Sequence, residues 1–69
     1  MSRLPRITAK ELIRFLKHNG FELHRSKGSH QHFIHIQTGR IITVPLHAGK
    51  IIGPGLLKAI LRQAGLEWK

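Results

Sequence analysis

Phe21-Glu22-Leu23-His24-Arg25-Ser26-Lys27-Gly28-Ser29-His30-Gln31-His32-Phe33-Ile34-His35-Ile36 is the stretch that decides the fold. From Phe21 to Ser26 apolar and polar residues roughly alternate, the period-two pattern of a half-buried strand. The small, flexible Lys27-Gly28-Ser29 interrupts that pattern as a hairpin turn does. Alternation resumes from His30 to Ile36, where Phe33, Ile34 and Ile36 supply aromatic and branched side chains that suit a pleated surface. Gln37-Thr38-Gly39-Arg40 marks a second turn, and Ile41 to Val44 a third strand stopped by Pro45. The predicted sheet is an antiparallel meander of three strands.

Helical signals flank it on both sides. Thr8-Ala9-Lys10-Glu11 is a capping box: the Thr8 hydroxyl accepts from the Glu11 N–H while the Glu11 carboxylate accepts from the Thr8 N–H. Ala9, Leu12, Ile13 and Leu16 then form one apolar stripe with Lys10, Arg14 and Lys17 mainly off it, and Asn19-Gly20 ends the helix. Met1 to Ile7 reads as a lead-in and Leu46 to Ile52 as a loop. Gly53-Pro54-Gly55 opens a second helix with an apolar face of Leu56, Leu57, Ile60, Leu61 and Ala64. Gly65 closes it, and Leu66 and Trp68 are placed to fold back onto the core. The order α-β-β-β-α implies a two-layer α+β sandwich, with both helices on one sheet face and the other face open.

A chain of 69 residues has room for one domain, residues 1–69, with a thin core: it hides only about 60% of the surface it exposes when unfolded. Large cofactor sites do not suit so small an interior, and no cofactor is expected. Twelve Lys and Arg against three Asp and Glu give a formal charge of +9, which calls for a polyanionic partner. There is no apolar run of the 18 or so residues that a spanning helix needs and no apolar signal-peptide core, so no membrane role and a cytoplasmic location are expected. The absence of cysteine removes disulfides, thiolate nucleophiles and thiolate metal sites.

Six histidines point to proton transfer or metal binding. If Ile34 and Ile36 face the helices, alternation puts His30 and His32 on their side and Gln31, Phe33 and His35 on the other. A metal reading would join His30 and His32 to an opposing His24, but the surroundings are strongly positive and hold no carboxylate to orient a ligating imidazole. His18, His24 and His35 read as half-exposed polar residues. His30 differs, because Arg25, Lys27, Gly28, Ser29 and His30 set two cations, a flexible backbone, a hydroxyl and an imidazole within six residues. Cations and exposed N–H groups hold a phosphodiester and offset charge that grows in its transition state. An imidazole, which titrates near neutrality, can take the proton of a ribose 2′-hydroxyl or give one to a leaving 5′-oxygen. The plain alternative is a basic hairpin that binds phosphate without cutting it. His47 has an equal claim to backbone bonding and to a place near the site.

Four segments, Leu16 to Phe21, Lys27 to His30 followed by Phe33, Val44 to His47 with Gly49, and Gly55 to Leu66, occur in an order that covers nearly the whole chain. Together they resemble the HicA toxins, the small mRNA-cleaving half of HicAB toxin–antitoxin systems. The resemblance implies a fold like the double-stranded-RNA-binding domain, cleavage of mRNA without cofactor or metal, and His30 as the single catalytic histidine. It also implies a HicB-type antitoxin that covers the active-site region. Arg25, Lys27, Gly28, Ser29 and His32 are the expected RNA-contacting residues by their position beside His30. The departures are informative. The second helix begins with Gly53-Pro54-Gly55 and only Lys50 near, which does not suit duplex recognition across a groove. There is no row of aromatics for stacking single-stranded bases, so low sequence selectivity is expected. A non-catalytic RNA-binding module, a histidine metalloprotein and a protein-interaction domain are the rival readings.

Overall fold

The computed structural model describes residues 4–46 and 50–68. Its elements are β1 (Ile7–Thr8), α1 (Ala9–His18), β2 (Phe21–Lys27), β3 (His30–His35), β4 (Ile41–Pro45), β5 (Ile51–Ile52) and α2 (Pro54–Ala64). Strands β2, β3 and β4 form the expected antiparallel meander in that order. The helices pack on one face of it, α1 chiefly against β2 and α2 against β4. This is the two-layer α+β arrangement read from the sequence, with the helix and strand order of the double-stranded-RNA-binding domain.

Helix α1 starts where the capping box places it. The Glu11 N–H donates to Thr8 Oγ1 at 3.1 Å and the Thr8 N–H donates to Glu11 Oε1 at 2.9 Å. These bonds hold the Glu11 carboxyl below its ordinary pKa of 4.5, with the backbone bond from Thr8 as the larger cause. The helix stops at Asn19, and Gly20 takes the left-handed conformation at φ +87°. Space also requires glycine at 20: a Cβ there would lie 2.8 Å from His35 Nε2. At its other end α2 closes on Gly65 at φ +69°.

Phe21, Phe33, Leu12, Leu16, Ile42, Ile52, Leu57, Ile60 and Val44 are the largest fully buried side chains. They come from both helices and every strand of the meander, so the core lies between the layers. Trp68 folds back onto α1, its ring 4.6 Å from that of Phe15.

Two expectations need correction. The lead-in and the loop are not wholly irregular, because β1 and β5 pair as a ribbon, Ile7 with Ile52 and Thr8 with Ile51. Ile7 and Ile52 are buried in the core, and the Ala9 N–H donates to the Lys50 carbonyl at 3.1 Å. The ribbon thus ties the start of α1 to the approach to α2. Two-residue strands are too short to show a period. The second strand ends at His35 rather than Ile36, which turns out to solvent. Among the described residues no helix is long and apolar enough to cross a membrane.

Replacing Thr8 by alanine is expected to lower stability by about 1 kcal/mol near neutral pH. The pH-dependent part of the cap is the Glu11 carboxylate, whose main partner, the backbone N–H of residue 8, is kept in that variant. Its stabilisation is complete above 4.5 and is lost as the pH falls through the lower folded-state value. Thermal melts of Glu11→Gln and the unsubstituted chain should therefore converge in acid, whereas the difference made by Thr8→Ala should largely persist there.

Candidate active site

Phe33 is fully buried, and it sets the phase of β3. Its alternation partners Gln31 and His35 share the helix side, while His30, His32 and Ile34 point to the open face. The grouping expected from the sequence is right, and the orientation that alternation left open is settled by the core: Ile34 does not face the helices and Ile36 is 61% exposed. The neighbouring strand decides it: Phe33 pairs with Ile42, Val44 lies on the same face, and all three are buried together, so this face carries the larger apolar area to the core.

The pairing register arranges the open face in cross-strand rows. Lys27, His30 and Pro45 form the row next to the turn, Arg25, His32 and Thr43 the second, and Glu22, Ile34 and Ile41 the third. Neighbours within such a row are about 5 Å apart at Cβ, and successive rows about 7 Å. Both candidate cations thus sit directly opposite the two candidate histidines.

That placement depends on an irregularity. Strict alternation from Phe21 and Leu23, on the helix side, would send Arg25 and Lys27 there too. The register instead shifts between Leu23 and Arg25, leaving His24 as an extra residue in a β-bulge. A bulge resets the phase of a strand. Beyond it Arg25 and Lys27 point to the open face, where His24, Arg25, Lys27, His32 and Ile41 line a depression of about 370 Å³.

Gly28 and Ser29 form a two-residue turn between Lys27 and His30. Gly28 has φ +60°, and Ser29 has no positive φ. Glycine in the first central position with only that φ positive is the type II′ turn, whose twist matches a hairpin. The Ser29 carbonyl accepts from the Leu46 N–H at 2.7 Å, anchoring the turn to the end of β4. His30 is exposed at this anchored edge.

His32 is half-buried, with Nδ1 3.0 Å from Thr43 Oγ1. His35 has a structural task. Its Nδ1 accepts from the N–H groups of Gln37 and Thr38, both at 3.2 Å, and its ring meets Phe21 edge-on at 5.0 Å. Two incoming N–H donors leave Nδ1 without a proton. His18 and His24 are exposed, and His18 lies on α1, in the helix layer, away from the open face. His47 lies outside the described residues. Among the described residues no three His, Asp, Glu or Cys side chains come together as a metal site, so His24, His30 and His32 are not assembled as the metal reading required. Sequence reasoning missed Thr43, whose only signal is a hydroxyl on a strand that pairs with His32.

A family model described as "HicA toxin of bacterial toxin-antitoxin" matches residues 9–66. The chain belongs to the HicA toxin family. Its match runs from the first residue of α1 to just past α2, and so includes the bulge, the turn and all three open-face rows. The HicA-family chain is also 40% identical over 57 residues to a protein of Pseudomonas fluorescens (strain Pf0-1) named "Probable mRNA interferase HicA". That alignment covers 83% of this chain and 92% of the relative. No solved structure matches the chain.

The bulge makes this HicA fold unusually tolerant at one position. Deleting His24 leaves every cross-strand pair and face in place, so the variant is expected to fold with a loss of roughly 1 kcal/mol or less. Deleting Ser26 from the regular part of β2 would carry Lys27 to the wrong face or break the pairing. Thermal melts and cross-strand proton contacts in NMR spectra distinguish the two deletions.

Proposed function

We propose that this HicA-family chain is the toxin of a toxin–antitoxin pair and an endoribonuclease that cleaves mRNA without a metal, with His30 moving a proton at the scissile phosphodiester. The observation that carries the reading is the register of the hairpin. It sets an exposed imidazole directly opposite Lys27, one row from Arg25 and His32, on the sheet face that the helices leave uncovered. The name of the Pseudomonas relative supports the choice of mRNA as substrate.

The chemistry follows from those groups. Arg25 and Lys27 hold the phosphate and offset the charge that builds on it, helped by the backbone of Gly28 and Ser29. The ribose O2′ attacks phosphorus, the P–O5′ bond breaks, and the products are a 2′,3′-cyclic phosphate and a 5′-hydroxyl. A positioned imidazole contributes about 10² to 10⁴ in rate to one of the two proton transfers this requires. A HicB-type antitoxin is the partner that restrains the toxin. The formal charge of +9 suits both partners, since an acidic protein surface meets the same cations as RNA, and both complexes weaken with added salt. Action on mRNA accords with a cytoplasmic location.

Incubating the purified protein with a defined RNA tests this. Cleavage should persist in EDTA, give 2′,3′-cyclic phosphate ends, and fall about 10²-fold or more in His30→Ala while RNA binding is retained. Loss of activity in EDTA, 5′-phosphate products, or undiminished cleavage by His30→Ala would reject the reading.

A further inference from the structure

We propose that His32 is the general acid of the cleavage reaction, giving its Nε2 proton to the leaving 5′-oxygen, and that Thr43 is the residue that positions its ring. The inference rests on the open face being the cleavage site and names the second proton carrier there.

An in-line displacement at phosphorus needs two proton transfers on opposite sides of the phosphate. O2′ gives up a proton as the O2′–P bond forms, and O5′ gains one as the P–O5′ bond breaks. One imidazole in one protonation state serves one of these. His30 and His32 occupy alternate positions of one strand, so both project from the open face about 7 Å apart, a separation that brackets a phosphate held between them. Arg25 faces His32 and Lys27 faces His30 across the strand pair, so each imidazole has a cation beside it.

The candidates differ in how they are held. Among the described residues neither His24 nor His30 has a side-chain hydrogen-bond partner, whereas His32 Nδ1 lies 3.0 Å from Thr43 Oγ1. In the imidazolium form Nδ1–H donates to that hydroxyl, which turns Nε2–H toward the open face. A ring held at one nitrogen loses less freedom on reaching the transition state than a free one. Lys27, the other nearby proton donor, faces His30 across the strand pair rather than His32.

The depression beside His32 also suits the leaving group. Arg25 and Lys27 both line it, and they stabilise the negative charge that develops on O5′ before the proton arrives. His30, exposed beside the turn, takes the proton from O2′. The turnover leaves His30 protonated and His32 neutral, and proton exchange with water restores both.

A leaving group that needs no proton tests the assignment. On ordinary RNA, His32→Ala is expected to slow cleavage about 10²- to 10⁴-fold. On RNA with sulfur in place of the bridging 5′-oxygen, a thiolate leaves unaided, and His32→Ala should recover to within about tenfold of the unsubstituted protein while His30→Ala does not. Thr43→Val should slow cleavage of ordinary RNA but not of the sulfur substrate, and Thr43→Ser should restore the ordinary rate. Circular dichroism melts confirm folding, with His32→Gln as the second variant should alanine fail to fold. Wild-type rates for His32→Ala on both substrates would overturn the proposal. So would equal slowing on both, the mark of a phosphate contact alone. Undiminished cleavage by His30→Ala would instead reject the cleavage site itself, so the two failures are distinguishable.

Discussion

Burial of Phe33 between the sheet and the helices is the constraint on which the rest depends. A strand has two faces and a period of two, so committing one large side chain to the core commits every other residue of that strand. With Phe33 inside, His30 and His32 have only the open face. The pairings of β3 with β2 and β4 then bring Lys27, Arg25, Pro45 and Thr43 to the same face. The candidate site is thus a consequence of core packing on the far side of the same sheet.

Local devices adjust what the core imposes. The bulge at His24 lets β2 bury Phe21 at one end and still present Arg25 and Lys27 outward at the other. The Gly28-Ser29 turn brings Lys27 opposite His30, and the bond from the Leu46 N–H to the Ser29 carbonyl ties the hairpin tip to the end of β4. The contact between Thr43 and His32 is a side-chain bond by which β4 supports a candidate catalytic side chain. These devices lie on or beside the central strand, which the flanking strands brace from both sides.

Among the described residues both helices pack on one face of the meander and no element covers the other. The uncovered face is therefore available for function, and it is there that Arg25, Lys27, His30 and His32 converge. His35 shows how a histidine can be diverted from that use: on the helix side, it closes the turn before β4 and packs against Phe21.

Capping signals, glycine stops and alternation were sufficient to read the two helices, the meander, the turn at Gly28-Ser29 and the grouping of His30 with His32, because each depends on residues within a few positions of one another. The ribbon of Ile7–Thr8 with Ile51–Ile52 could not be read that way, since its partners lie more than forty positions apart and neither is long enough to show a period. Nor could the direction in which β3 faces, because Phe33, Ile34 and Ile36 offer apolar side chains to both sides and only competition for space beneath the helices decides between them. The phase shift at His24 and the partnership of His32 with Thr43 likewise arise from cross-strand register, which local sequence leaves open and the packed core determines.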